Sequence, residues 1–127
     1  MAKPPGAADR KPIRWVGSSE DDICDVPSEV RIEFGRRLNL AQRGRMPPHT
    51  KALQGQGAGV FQMSESSDSG TYRAVYLARF SKAIYVLHVF QKKAKSGVKT
   101  DKKDIDAIGV AVRSAEESYK IEFGEDE

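Results

Sequence analysis

Residues Ile84 to Phe90 read Ile-Tyr-Val-Leu-His-Val-Phe, an apolar run of β-branched and aromatic side chains broken only by His88. Such a run suits a central strand buried on both faces, because a strand with one wet face alternates apolar and polar residues. The chain is therefore built around a sheet. Tyr72 to Ala78 supplies a second strand, and the short Arg79-Phe80-Ser81 link makes the two an antiparallel hairpin. Val60 to Met63 reads as a further strand, closed by the turn-forming stretch from Ser64 to Gly70. A short β-favouring run, Ile13 to Val16, stands ahead of all three.

The helices are legible from spacing. Val30, Phe34, Leu38 and Ala41 recur at intervals of four, four and three and form one apolar stripe. Pro27 suits the start of that helix, and Gly44 with Pro47-Pro48 ends it. Arg31, Glu33, Arg36 and Arg37 lie off the stripe, where solvated charges belong. Ser18 and Ser19 before Glu20, Asp21 and Asp22 predict a short helical turn through Cys24. Ile105, Ile108, Val112 and Ala115 predict a last helix from about Asp101 to Tyr119. Met46 to Gly59 reads as a loop. The order β, α, α, three strands, α argues the α+β class: a small, twisted, mainly antiparallel sheet with helices packed on one face. The other face is then left for chemistry or binding. Residues 1–12, with Pro4, Pro5, Gly6 and Pro12, read as a disordered leader, 13–119 as one domain and 120–127 as an acidic flexible tail.

Many functions are set aside at this point. The 127 residues contain no apolar run near the ~20 needed to cross a bilayer, and the first residues contain no secretory signal, so a cytoplasmic protein is expected. One cysteine, Cys24, provides neither a disulfide framework nor a Cys-rich zinc site. Cys24 also lacks a nearby basic residue to activate it. His49 and His88 have no carboxylate or Cys at metal spacing, so no metal is expected. Gly55, Gly57 and Gly59 precede a strand with no helix after it, so they do not make a dinucleotide or phosphate loop, and no cofactor is expected.

What remains is charge. From Gln91 to Lys103 there are six lysines against Asp101, and from Glu116 to Glu127 six acids against Lys120. Arg73 stands mid-strand beside the basic stretch. An arginine there is costly to bury unless paired, and on an open concave surface it suits a bidentate contact with phosphate. The bland alternative pairs it with a sheet-edge carboxylate such as Glu65. If the turn pairs Arg79 with Ala83, Arg73 lies opposite Val89 and shares its face with Gln91 and Lys93. His88, Phe90 and Lys92 then point the other way. His88 itself reads as a satisfied core histidine or, less simply, as a catalytic group.

Ile13-Arg14-Trp15-Val16-Gly17-Ser18-Ser19, Tyr72-Arg73-Ala74-Val75-Tyr76, Tyr85 through Lys93 and the lysine-rich loop from Lys95 to Lys103 together resemble the phage-derived, HigB-like branch of the RelE/HigB toxin superfamily. The resemblance runs from about Lys11 to Tyr119. It implies a RelE-like fold and the toxin of a type II toxin–antitoxin pair. Such a toxin is a metal-independent endoribonuclease that cuts mRNA on the ribosome through attack of a 2′-hydroxyl on the adjacent phosphate. It implies mRNA, the ribosome and a cognate antitoxin, of the helix-turn-helix DNA-binding type, as partners. Carried over by position, Arg73 holds the scissile phosphate, and Lys93, Gln91 and Lys92 complete the catalytic set. Lys95 and Lys99 would bind flanking RNA. Gln62 departs from the pattern, standing where related sequences often have a glutamate. That leaves a lysine of depressed pKa as the base candidate, or a non-catalytic module of prophage origin that binds RNA or protein.

Overall fold

The computed structural model describes residues 10–92 and 100–125. In chain order these form β1 (Ile13–Trp15), α1 (Ser19–Asp25), α2 (Ser28–Gln42), β2 (Thr50–Ala52), β3 (Val60–Ser67), β4 (Gly70–Leu77), β5 (Ile84–Gln91) and α3 (Lys102–Phe123). The strands make one sheet in the order β1-β5-β4-β3-β2. Every pairing is antiparallel except that of β1 with β5. The α+β class and the mainly antiparallel sheet follow the sequence, and β5 lies inside the sheet as its apolar run requires.

The helices, however, do not share a face. Val30, Phe34, Leu38 and Ala41 of α2 and Ile23 of α1 pack with Met63, Ala74, Tyr76, Ile84, Val86 and Val89 on one side of the sheet. Ile108, Ala111, Val112, Ala115 and Tyr119 of α3 pack with Val60, Val75, Leu77, Tyr85 and Leu87 on the other. The reason is already present in β5, whose side chains are apolar at both parities and need cover on both sides. On the second face, α3 leaves part of the sheet uncovered, around Gln62 and Arg73.

Several boundaries move for equally local reasons. β2 lies within the stretch read as a loop, too short and polar to show a period, and is held there by pairing Thr50 to Ala52 with Met63 to Phe61. β3 continues through Ser64 to Ser67 because Arg73 to Gly70 of β4 supply its ladder partners, so the turn shrinks to Asp68 and Ser69. The link between β4 and β5 is correspondingly longer, residues 78–83. Glycine is needed at Gly59, whose φ is +78° and where a Cβ would stand 2.5 Å from the Arg79 Cβ. α3 outruns its predicted end at Tyr119 by four residues. Phe123 packs on Tyr119 at 4.9 Å between ring centres, and Glu122 accepts a fork of hydrogen bonds from Arg14 at 2.9 and 2.5 Å. Glu116 pairs with Arg79. These acids therefore pin the helix to the sheet.

Candidate active site

The geometry around Arg73 is set by one irregularity. Leu77 pairs with Tyr85 and Tyr76 with Val86, the register expected from the turn. Between Tyr76 and Val75 the ladder slips, so that Val75 faces His88 and Leu87 is left over as a β-bulge. From there on Arg73 lies opposite Phe90 rather than Val89, and Tyr72 opposite Gln91. One extra residue reverses every later side chain. The face expected to carry Arg73, Val89, Gln91 and Lys93 instead carries Arg73 with Phe90 and His88, and alternation brings Lys92 to the same side.

Three strands contribute to this face in two rows: Ser64, Arg73 and Phe90, then Gln62, Val75 and His88. Arg73 is only 4% exposed. Its Nη1 donates to Thr100 Oγ1 at 3.4 Å, and the Thr100 hydroxyl donates to Gln62 Oε1 at 3.1 Å. Gln62 is itself buried. Burial pulls the Arg73 guanidinium below the usual arginine value, though an arginine keeps its proton near neutral pH. The start of α3 thus spans β3 and β4 through one threonine. Its first turn reaches β5 as well, where Asp104 Oδ1 lies 2.8 Å from His88 Nε2 and the His88 ring stacks on Phe90 at 4.9 Å. Beside Gln62 and Thr100 a cavity of about 640 Å³ opens, lined by Lys51, Leu53, Gln54 and Ile105.

Glu65, the carboxylate that could have neutralised Arg73, belongs to the other face. There it pairs with Arg37, which also donates to Ser64 O at 2.6 Å and to Glu33 at 3.2 Å. Arg37 was expected among solvated charges, yet it is 2% exposed. Its burial is tolerable because each end of the guanidinium meets an acceptor. Helical spacing offers only Glu33, one turn back; the other partners, Ser64 and Glu65, lie 27 and 28 residues away, beyond any periodicity.

Gln91 is turned from Arg73. Its Nε2 donates to Ser69 O at 2.7 Å, under Gly70, whose missing Cβ would stand 2.8 Å from that nitrogen. Lys92, just past β5, has its N–H bonded to Thr71 O at 2.8 Å. Lys93, Lys95 and Lys99 lie outside the described residues. Thr100 and Asp104 were not anticipated as parts of the site, and the only signal for them was their place at the start of the last helix. Among the described residues no three His, Cys, Asp or Glu side chains come together as a metal site requires, and no helix is long and apolar enough to cross a membrane.

Comparison with known proteins bears on this arrangement. A model of the phage-derived Gp49-like protein family matches residues 21–112, most of the sheet and both flanking helix layers. A solved structure of a double-arginine mutant of the Escherichia coli toxin RelE, in the free state, superposes with a TM-score of 0.56. It is 16% identical, and the alignment covers 83% of this chain and 97% of that one. No functionally curated protein matches the sequence.

Proposed function

The chain belongs to the phage-derived Gp49-like family, within the RelE toxin superfamily, and from that membership we propose that it is the toxin of a toxin–antitoxin pair and an endoribonuclease acting on mRNA at the ribosome. The observation that carries this reading is the placement of Arg73: mid-strand and tied through Thr100 to Gln62, two residues that line a cavity of about 640 Å³.

In this reading the guanidinium binds two non-bridging oxygens of the scissile phosphate. The 2′-hydroxyl gives its proton to the base as its oxygen bonds to phosphorus, the phosphorus–O5′ bond breaks, and the 5′-oxygen takes a proton from solvent as it leaves. The product is a 2′,3′-cyclic phosphate and a 5′-hydroxyl end. Charge accumulates on the phosphorane, and a fixed cation contributes most there. Lys92 shares Arg73's side of the sheet and joins it as a second cation, and Lys93 remains in the proposed catalytic set. Lys95 and Lys99 are assigned to flanking phosphates, which position the RNA without reading its sequence. Gln91 is assigned to shaping the β3–β4 turn. Gln62 carries no proton to move and is assigned to orienting Thr100. The base is then assigned to a lysine of the basic stretch.

A second reading is favoured by one observation, the amide of Gln62 where a carboxylate base would serve. In it the same face binds RNA or an antitoxin and cuts nothing. Induced expression separates the two. The enzyme reading expects growth arrest with new mRNA 5′ ends, both lost in Arg73→Ala. Normal growth and unchanged 5′ ends with folded wild-type protein would favour the binding module.

A further inference from the structure

The side of the sheet that carries α2 has a surface of its own, well apart from Arg73. Arg10 to Pro12 runs beside the end of α2, with Lys11 N donating to Gln42 O at 2.9 Å and Gln42 Nε2 donating to Lys11 O at 2.6 Å. The Lys11 ammonium reaches Phe80 O at 2.8 Å in the β4–β5 loop. Three stretches meet here, residues 10–16, 41–64 and 76–86, and none of them contains an Asp or Glu. The carboxylates that neutralise arginines elsewhere are engaged at other places: Glu122 with Arg14, Glu116 with Arg79, and Glu33 and Glu65 with Arg37. Among the described residues Arg10, Arg43 and Arg45 are exposed and enter no ion pair.

Lys11 and Arg45 line a cavity of about 250 Å³ together with Gly44, Met46, Phe61 and Tyr76, and Arg10 and Arg43 are the chain neighbours of Lys11 and Gly44. Its apolar floor is the Phe61–Tyr76 pair, 5.6 Å between ring centres, and Met46 stands at the rim, 57% exposed. Burial pushes the Tyr76 phenol up to about 12, so it stays neutral and adds no negative charge. Tyr76 is three residues along β4 from Arg73, about 10 Å, and on the opposite face. The surface is therefore separate from the Arg73 cleft.

We propose that this surface is a second RNA-docking site, with backbone phosphates on Arg10, Arg43 and Arg45 and one unpaired base in the Phe61–Tyr76–Met46 cavity. The choice of RNA rests on the function proposed above, and the existence of a polyanion-binding surface does not. An acidic protein is the weaker fit. Protein interfaces close over an apolar core, whereas Met46 is the only large exposed apolar side chain in this patch. Interfaces with nucleic acid are polar and strongly positive, and bases stack on aromatic floors without regard to sequence.

The test uses the full chain carrying Arg73→Ala, which suppresses cutting, with and without the added pair Arg43→Glu and Arg45→Glu. Both added positions are exposed, and unchanged circular dichroism and melting temperature verify the fold. Binding of a fluorescein-labelled single-stranded RNA should weaken at least tenfold, and the slope of log affinity against log salt should fall by between one and two. A 5-bromouridine RNA should crosslink to Phe61 or Met46 in the parent and not in the variant. Unchanged affinity and salt slope would overturn the proposal. So would labelled poly-glutamate binding as tightly as RNA, with no crosslink in the cavity. The outcome is independent of catalysis. A wild type that cuts nothing, but whose RNA binding depends on Arg43 and Arg45, sinks the ribonuclease reading and leaves this surface standing. The reverse pattern does the opposite.

Discussion

Arg73 on β4 and Thr100 at the threshold of α3 are joined at 3.4 Å, and that contact places a cation from the sheet at the start of a helix from the other end of the chain. The threonine also donates to Gln62, so a single hydroxyl aligns side chains from two strands. Thr100→Val keeps the shape and removes the hydroxyl. We expect cleavage to fall about tenfold while the unfolding free energy drops by only about 1 kcal/mol, the usual worth of a hydrogen bond. Single-turnover cleavage beside urea unfolding measures both.

Arg73→Lys separates charge from geometry. A lysine keeps the positive charge but cannot make the planar, two-pronged contact. Loss of one transition-state donor typically costs ~100- to 1,000-fold in rate, and this variant should approach that range while RNA binding changes little. Rates within threefold of wild type would show that charge alone suffices.

The buried guanidinium of Arg37 is structural on this account. Arg37→Ala strands Glu65 and the Ser64 carbonyl, and because Glu65 is about a third exposed the cost should be moderate, about 2 kcal/mol. Arg37→Met, which refills the volume, should recover part of it. Neither should change the products of cleavage, read from RNA 5′ ends.

Alkaline stability should depend on Tyr76. Its folded pKa of about 12 exceeds the ordinary value of 10.0, so the unfolded chain loses its proton first as the pH rises. Stability is therefore fully present below pH 10 and lost between about pH 10 and 12, by roughly 2–3 kcal/mol. Burial raises the Tyr85 phenol as well and adds to the same loss. Tyr76→Phe should flatten much of that decline in melts followed across this range.

The apolar run of β5, the stripe of α2 and the stripe of α3 made the elements and the α+β class legible. The same run also demanded cover on both faces. The expectation of one helical face came from element order alone, which says nothing about the side on which a late helix docks. Placing the proposed catalytic face required the register at Arg73, and one bulged residue, Leu87, inverted it. Bulges have no compositional mark in this strand, since Leu87 is as apolar as its neighbours. Arg73 was legible as a cation out of place mid-strand. Gln62 was legible as a departure from the family pattern, but Thr100 and its contact with Gln62 were not, because the two meet over 38 residues of sequence. If both faces are covered, Phe34→Ala and Ile108→Ala should each cost several kcal/mol, about 2–5, as buried positions do. A near-neutral Ile108→Ala would mean that the α3 side is not a core.

The most direct test of the central claim is the chemistry of the cut end. Purified wild type and Arg73→Ala would each be incubated with ribosome-bound mRNA, in parallel with mRNA carrying a single 2′-deoxynucleotide at the mapped cleavage position. Wild type should leave a 2′,3′-cyclic phosphate or its 3′-phosphate product, with no cut by Arg73→Ala or at the 2′-deoxy position. Cleavage that survives the 2′-deoxy substitution, or leaves a 3′-hydroxyl, would contradict the claim.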